Sequence, residues 1–172
     1  KDKIDIIVKK KSFSNDIEQN NKELPKYWDD CRNDHTIDSL YKYAAASGVF
    51  GGALIGVCAD DTKKNEMTYA IGVEYNGTTI TDELSVEQIP SYTWAIFESI
   101  GPMPTAFQNL LYKVYSEFFP TSVYHPCGNL DIEVYPNGNM QSTQYKCELW
   151  KKKKKNEQAW WSVHLRKGYE HN

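Results

Sequence analysis

The sequence predicts an α+β domain in which a strand–helix–strand–strand unit occurs twice, and three observations carry that expectation. Ile4, Ile6 and Val8 alternate with charged residues at the start, the period-2 signature of a strand with one wet face. Two hairpin-like pairs of strands follow: Ala53–Ala59 with Met67–Tyr75, and Leu130–Tyr135 with Gln144–Trp150. Between them, Phe107, Leu110, Leu111, Val114 and Phe118 recur at helical spacing.

Taken in order, the first strand gives way to a polar loop over Ser12–Lys22, and Pro25 opens two short helices or one interrupted helix, of which DSLYKYAAA is the clearer part. Gly48, Gly51 and Gly52 end it. The link DDTKKNE joins the two central strands, and Asn76-Gly77 marks a turn before a further strand over Thr79–Ile89. Tyr92–Ile100 is rich in aromatic and β-branched residues, as a strand should be. Gly101-Pro102 stops it, Pro104 suits the first turn of a helix, and Pro120 closes that helix. PNGN turns the chain between the last two strands. Setting Tyr69 against Tyr145 and Gly72 against Glu148 aligns the two hairpins, so a pseudo-two-fold axis would put a carboxylate where its twin has no side chain.

At 172 residues the chain suffices for one domain with a real core. A net charge of −3 argues against a phosphate-binding surface, since that needs concentrated Lys and Arg. No apolar run has the length of a membrane span and no signal-peptide pattern opens the chain, so a cytoplasmic location is expected. The first residue is Lys1 rather than Met, which leaves room for a preceding segment. Cys31, Cys58, Cys127 and Cys147 form no CxxC pair and the histidines show no ligand spacing, so reduced thiols, no metal and no cofactor are expected. With 12 Tyr and 5 Trp, side chains that join an apolar body to a polar tip are abundant, as in a ligand-lined cleft or an interface.

The segments LPKYWDDC, LIGVC, MTYAIGVEY, the run from Ile89 to Ser122, LDIEVYPNG and YKCELW, in this order, resemble the GyrI-like effector-binding domain found at the C-terminus of AraC-type and MerR-type bacterial transcription regulators. The resemblance spans about residues 3–150. It implies a duplicated β-α-β-β unit with pseudo-two-fold symmetry: a curved antiparallel sheet carrying two main helices. It implies binding of small molecules that are aromatic, amphipathic or cationic, held by a glutamate on the last strand, here Glu148. A DNA-binding domain outside this chain is the implied partner, with no direct nucleic-acid or membrane contact. A subset of the family resembles hydrolases using the same glutamate, here with Tyr69 as helper, and another branch acts as an inhibitor through protein contact.

Tyr69, Trp94, Phe97 and Trp150, with Trp28, are the aromatic candidates for the ligand site, because ring faces hold cations or flat molecules by stacking. Core packing is the competing reading for each. For Glu148 the competing reading is an exposed strand residue paired with Lys146 or Lys151. Tyr115 is placed to reach the mouth of a cleft. His125 and Cys127 lack an orienting third group, which argues against a nucleophile–base pair. Asp131 and Glu133 alternate with Leu130, Ile132 and Val134 and read as a solvated strand face. The domain is expected to cover residues 1–150. Residues 151–172 depart from the family pattern, with Lys151–Lys155 as a solvated run and Trp161, Val163 and Leu165 alternating beyond it.

Overall fold

In the computed structural model of the chain, residues 2–61, 63–122 and 124–155 are described, without the side chains of 124–129, 154 and 155. The strands are β1 (Ile4–Ser14), β2 (Leu54–Asp61), β3 (Glu66–Glu74), β4 (Ser85–Ile89), β5 (Trp94–Ile100), β6 (Tyr124–Tyr135) and β7 (Lys146–Lys155). They form a single antiparallel sheet in the order β4-β1-β3-β2-β6-β7-β5. The helices are α1 (Ile17–Asn33), α2 (Thr36–Tyr41), α3 (Thr105–Lys113), a π-helical turn (Val114–Phe118) and the short α4 (Phe119–Thr121).

The expected duplication is visible in this order. Outward from the centre, β2, β3 and β1 on one side match β6, β7 and β5 on the other, and β4 is an addition to the first half. Ile55 pairs with Val134 across the central β2–β6 seam, while Gly72 lies beside Ile55 and Glu148 beside Val134. A two-fold axis through the Ile55–Val134 pair therefore relates Gly72 to Glu148, as the hairpin alignment requires.

Residues paired across antiparallel strands share a face, so the register sorts the core into layers. On one face α1 and α2 cover Ile7, Leu54, Met67, Tyr69, Ile71 and Val73, with Tyr27, Cys31, Ile37 and Leu40 coming from the helices. On the same face in the second half, α3 and the π-turn bring Phe107 and Val114 onto Cys147 and Leu149. The opposite face buries Ile4, Ile6, Val8, Ile55, Val57, Ile132 and Val134 beneath Phe50, Trp94 and Trp150.

Four boundaries differ from the sequence expectations. Ser12–Lys22 is not a loop: β1 runs to Ser14, and α1 starts at Ile17 because the Asp16 carboxylate accepts from the backbone N–H groups of Glu18 and Gln19. Pro25 then lies inside α1 rather than at its start, where it removes one backbone donor without ending the helix. The strand after Asn76-Gly77 begins only at Ser85, where pairing with β1 becomes available. Pro120 falls within the last helical turn instead of closing the helix before it.

The lysine run also departs from expectation. β7 continues through it, and Lys151 is 4% exposed, because strand alternation aims its side chain at the helix-covered face. Trp161, Val163 and Leu165 lie outside the described residues, as do the side chains of His125 and Cys127.

Ile55 is fully buried at the seam between the two halves. Ile55→Ala is expected to destabilise the protein by about 2–5 kcal/mol through lost burial and the cavity left behind, read from the midpoint of chemical denaturation. A loss below about 0.5 kcal/mol, the scale of a surface substitution, would mean that the seam is not a packing centre.

Candidate functional site

The helices flank the centre of the sheet, α1 over β3 and β2 and α3 over β7 and β5, and β6 runs between the two helix-covered halves. The register puts Ile71, Gly56, Glu133 and Leu149 in one row across this face and Tyr69, Cys58, Asp131 and Lys151 in the next. Two carboxylates, Asp131 and Glu133, thus stand side by side on one strand between two helices.

Glu133 is the centre of the hydrogen-bond network. The Tyr69 hydroxyl donates to its Oε1 at 2.5 Å, and Tyr135 contributes a second hydroxyl. Trp28 reaches over from α1, its indole N–H donating to the Tyr69 hydroxyl at 3.1 Å. Trp28 also meets the ring of Tyr135 edge-on at 5.5 Å, and Phe107 of α3 approaches Tyr135 from the other side at 6.1 Å. Aromatic side chains from both helices thus meet Tyr135, which donates to the carboxylate.

Gly56 makes this approach possible. A Cβ at this position would lie 2.2 Å from the Tyr69 hydroxyl oxygen and 2.7 Å from Glu133 Oε1, inside any permitted contact. A side chain here would push the tyrosine off the carboxylate.

The neighbouring carboxylate is neutralised. Lys151 Nζ donates to Asp131 Oδ2 at 2.5 Å and to the Tyr115 hydroxyl on the π-turn, with the Tyr115 ring centroid 4.6 Å away. Burial opposes the lysine's charge, but Asp131 and Tyr115 outweigh it and hold its pKa above the ordinary value. Glu133 has no such partner: among the described residues no cation lies within ion-pair distance of it. Burial raises its pKa, and the hydrogen bonds from Tyr69 and Tyr135 offset this only in part. The Tyr69 and Tyr135 hydroxyls are likewise raised, chiefly by burial, and stay protonated as donors.

The residues expected to form one ligand site are divided between two faces. Tyr69 and Trp28 pack together on the helix-covered face. Glu148, Trp150 and Trp94 project to the opposite face, since strand alternation sends Glu148 away from Leu149. There the Trp150 indole N–H donates to Glu148 Oε2 at 2.7 Å, and Trp150 packs on Phe50 and Trp94 at centroid distances of 5.1 and 5.9 Å. Phe97 is on the helix side, but it lies under the end of the helical segment, against Phe118 and Phe119, where it supports the π-turn. The structure therefore does not bring Glu148 to Tyr69.

Asp131 and Glu133 correct the expectation of a solvated face. Their alternation is real, but both faces of a central strand are covered here, so the polar side lies half-buried on the face that carries the helices. The available signal was that β6 is central, a property of strand order that its own residues do not encode. The asymmetry expected at Glu148 also occurs at Glu133, which takes the position Leu54 holds in the first half under the two-fold axis.

A family model described as Cass2, integron-associated effector binding protein, matches residues 1–151. Comparison with curated proteins gives no match. Among solved structures, the chain is similar to SAV2435 bound to tetraphenylphosphonium, with a TM-score of 0.78 and 20% identity over 90% of each chain. It is also similar to a putative bacterial transcription regulation protein from Staphylococcus aureus MU50, with a TM-score of 0.76 and 19% identity over 90% of this chain and 94% of that one. The C-terminal domain of EcmrR aligns with a TM-score of 0.54 and 15% identity over 90% of this chain and 94% of that one. At these identities the likeness is one of fold.

Two outcomes follow from the site's geometry. Gly56→Ala is expected to cost about 1–3 kcal/mol of stability by forcing Tyr69 from Glu133, measured by thermal unfolding; an unchanged midpoint would show that the tyrosine moves freely. The raised pKa of Glu133 means that the folded chain holds its proton to higher pH than the unfolded chain. Stability should therefore fall as pH rises from the ordinary glutamate range through that raised value. Glu133→Gln should flatten this part of the pH–stability profile, and an unaltered slope would contradict the assignment.

Proposed function

The chain belongs to the Cass2 family of integron-associated effector-binding proteins, and from that premise we propose that the cleft between α1 and α3 binds a small aromatic or amphipathic cation with Glu133 as its counter-charge. The GyrI-like effector-binding assignment made from the sequence stands. Glu133 replaces Glu148 as the proposed anchor.

The observation that supports this reading is the partly buried, cation-free carboxylate of Glu133 beneath aromatic side chains. A half-buried carboxylate without a cation is costly to ionise, and a ligand cation supplies the partner absent among the described residues. Tyr69 and Tyr135 orient the carboxylate by donating to it, and the half-buried rings of Trp28 and Tyr135 offer apolar surface beside it. Cation–π attraction contributes about 0.5–2 kcal/mol per well-placed ring, so several rings and one carboxylate give useful affinity without a large interface. The neighbour bound to tetraphenylphosphonium, a lipophilic aromatic cation, is consistent with such chemistry.

The likeness to the EcmrR C-terminal domain supports a regulatory setting, in which ligand binding shifts the conformational population of an attached or associated DNA-binding unit. No helix among the described residues is long and apolar enough to cross a membrane.

Calorimetric titration with tetraphenylphosphonium tests the reading. Wild-type protein is expected to bind, Glu133→Gln to weaken binding by about tenfold or more, the scale of a charge-assisted contact, and Glu148→Gln to leave it unchanged. Affinity should rise with pH as Glu133 gives up its proton. Equal binding by wild type and Glu133→Gln, with loss in Glu148→Gln, would return the anchor to the opposite face.

A further inference from the structure

Among the described residues, the two central rows of this face hold two carboxylates and one lysine, with a third carboxylate, Asp60, at the exposed end of β2. Asp131 and Glu133 are two positions apart on the same face of β6, a separation of about 7 Å set by strand rise. At that distance, and away from bulk water, each charge is strongly felt by anything bound between the helices. Lys151 cannot divide itself between them. It is in the row of Asp131, directly paired with it across β6 and β7, and the Tyr115 hydroxyl and ring hold its ammonium group from the π-turn above. At 4% exposure it has little freedom to swing toward Glu133 or into solvent.

We propose that Asp131 and Lys151 set the valence of the ligand: by cancelling one of two neighbouring carboxylates, the pair leaves the cleft the single negative charge of Glu133, and so selects ligands carrying one positive charge over those carrying two. Asp131 and Lys151 are specificity-determining residues in this scheme, and Tyr115 is the positioning residue that keeps the lysine in place. This inference rests on the reading of Glu133 as the counter-charge.

The arrangement explains why a lysine is buried at the edge of a cation site, where its charge alone would repel the ligand. Paired with Asp131 it contributes almost no net field. It occupies the second carboxylate so that a dication finds only one partner, with its other charge left unmatched in a half-buried setting. Such a mismatch carries the desolvation cost of an unpaired ion.

A charge cycle on the full chain tests this, with tetraphenylphosphonium as the monocation and methyl viologen as the dication, both titrated by calorimetry. The wild type should prefer the monocation. Asp131→Asn leaves the lysine's charge uncancelled and should weaken monocation binding by about tenfold or more, the scale of one nearby unit charge at reduced dielectric. Lys151→Met frees a second carboxylate and should shift the dication-to-monocation affinity ratio toward the dication by about the same factor. The double variant Asp131→Asn/Lys151→Met removes both charges and should restore the wild-type ratio, even if its thermal midpoint is lower. A purely structural role would lower both affinities in parallel with stability, and the double variant would not recover. A constant ratio across the set, with binding still dependent on Glu133, overturns this inference and leaves the proposed function intact. Absence of any Glu133-dependent cation binding in the wild type overturns both.

Discussion

A carboxylate taken partly out of water must be given donors, given a cation or protonated, and the centre of this molecule is arranged around the first of these options. Glu133 sits on the strand where the two halves of the sheet meet, under the gap between their helices. The Tyr69 hydroxyl crosses the open position above Gly56 to reach it, and Trp28 in turn donates to that hydroxyl. Remove any one of these features and the carboxylate loses an oriented donor while remaining half-buried. The hydrogen bonds ease its ionisation without completing it, and this incompleteness is what makes the cleft a receptor for positive charge.

The duplicated fold supplies the geometry, and its asymmetry supplies the chemistry. Each half offers one main helix and three matching strands, and the two helices lie on either side of the seam. Along it the halves diverge: where the first half has Leu54, the second has Glu133. The opposite face has a different task. Phe50, Trp94 and Trp150 pack over the aliphatic residues of both halves and hold the sheet together across its seam. The glutamate there, Glu148, already has an indole N–H from its own strand.

The order of strands and helices, the central hairpins and the duplication were legible in the sequence, because period-2 and helical spacing are local signals that survive in a single chain. Tyr69 and Trp28, two of the aromatic candidates, do meet on the helix-covered face, since both carry a polar tip that needs a partner when buried. Glu133 was misread for a physical reason: alternation of polar and apolar residues says that a strand has two unlike faces, but not what covers each one. That depends on β6 lying at the centre of the sheet beneath both helices, a long-range property. Lys151 was hidden in the same way, as the first member of a lysine run that resembles solvent-exposed sequence. Its burial follows from β7 continuing past Trp150. The start of α1 was missed because its first turns are polar, and only the Asp16 cap marks it.

The central claim, that Glu133 is a carboxylate waiting for a cation, is tested most directly by following its side-chain carboxyl carbon by NMR through a pH titration, alone and with tetraphenylphosphonium. A pKa above the ordinary glutamate value of about 4.3 is expected in the free protein, moving downward when the cation binds. An ordinary value that the cation leaves unmoved would contradict it.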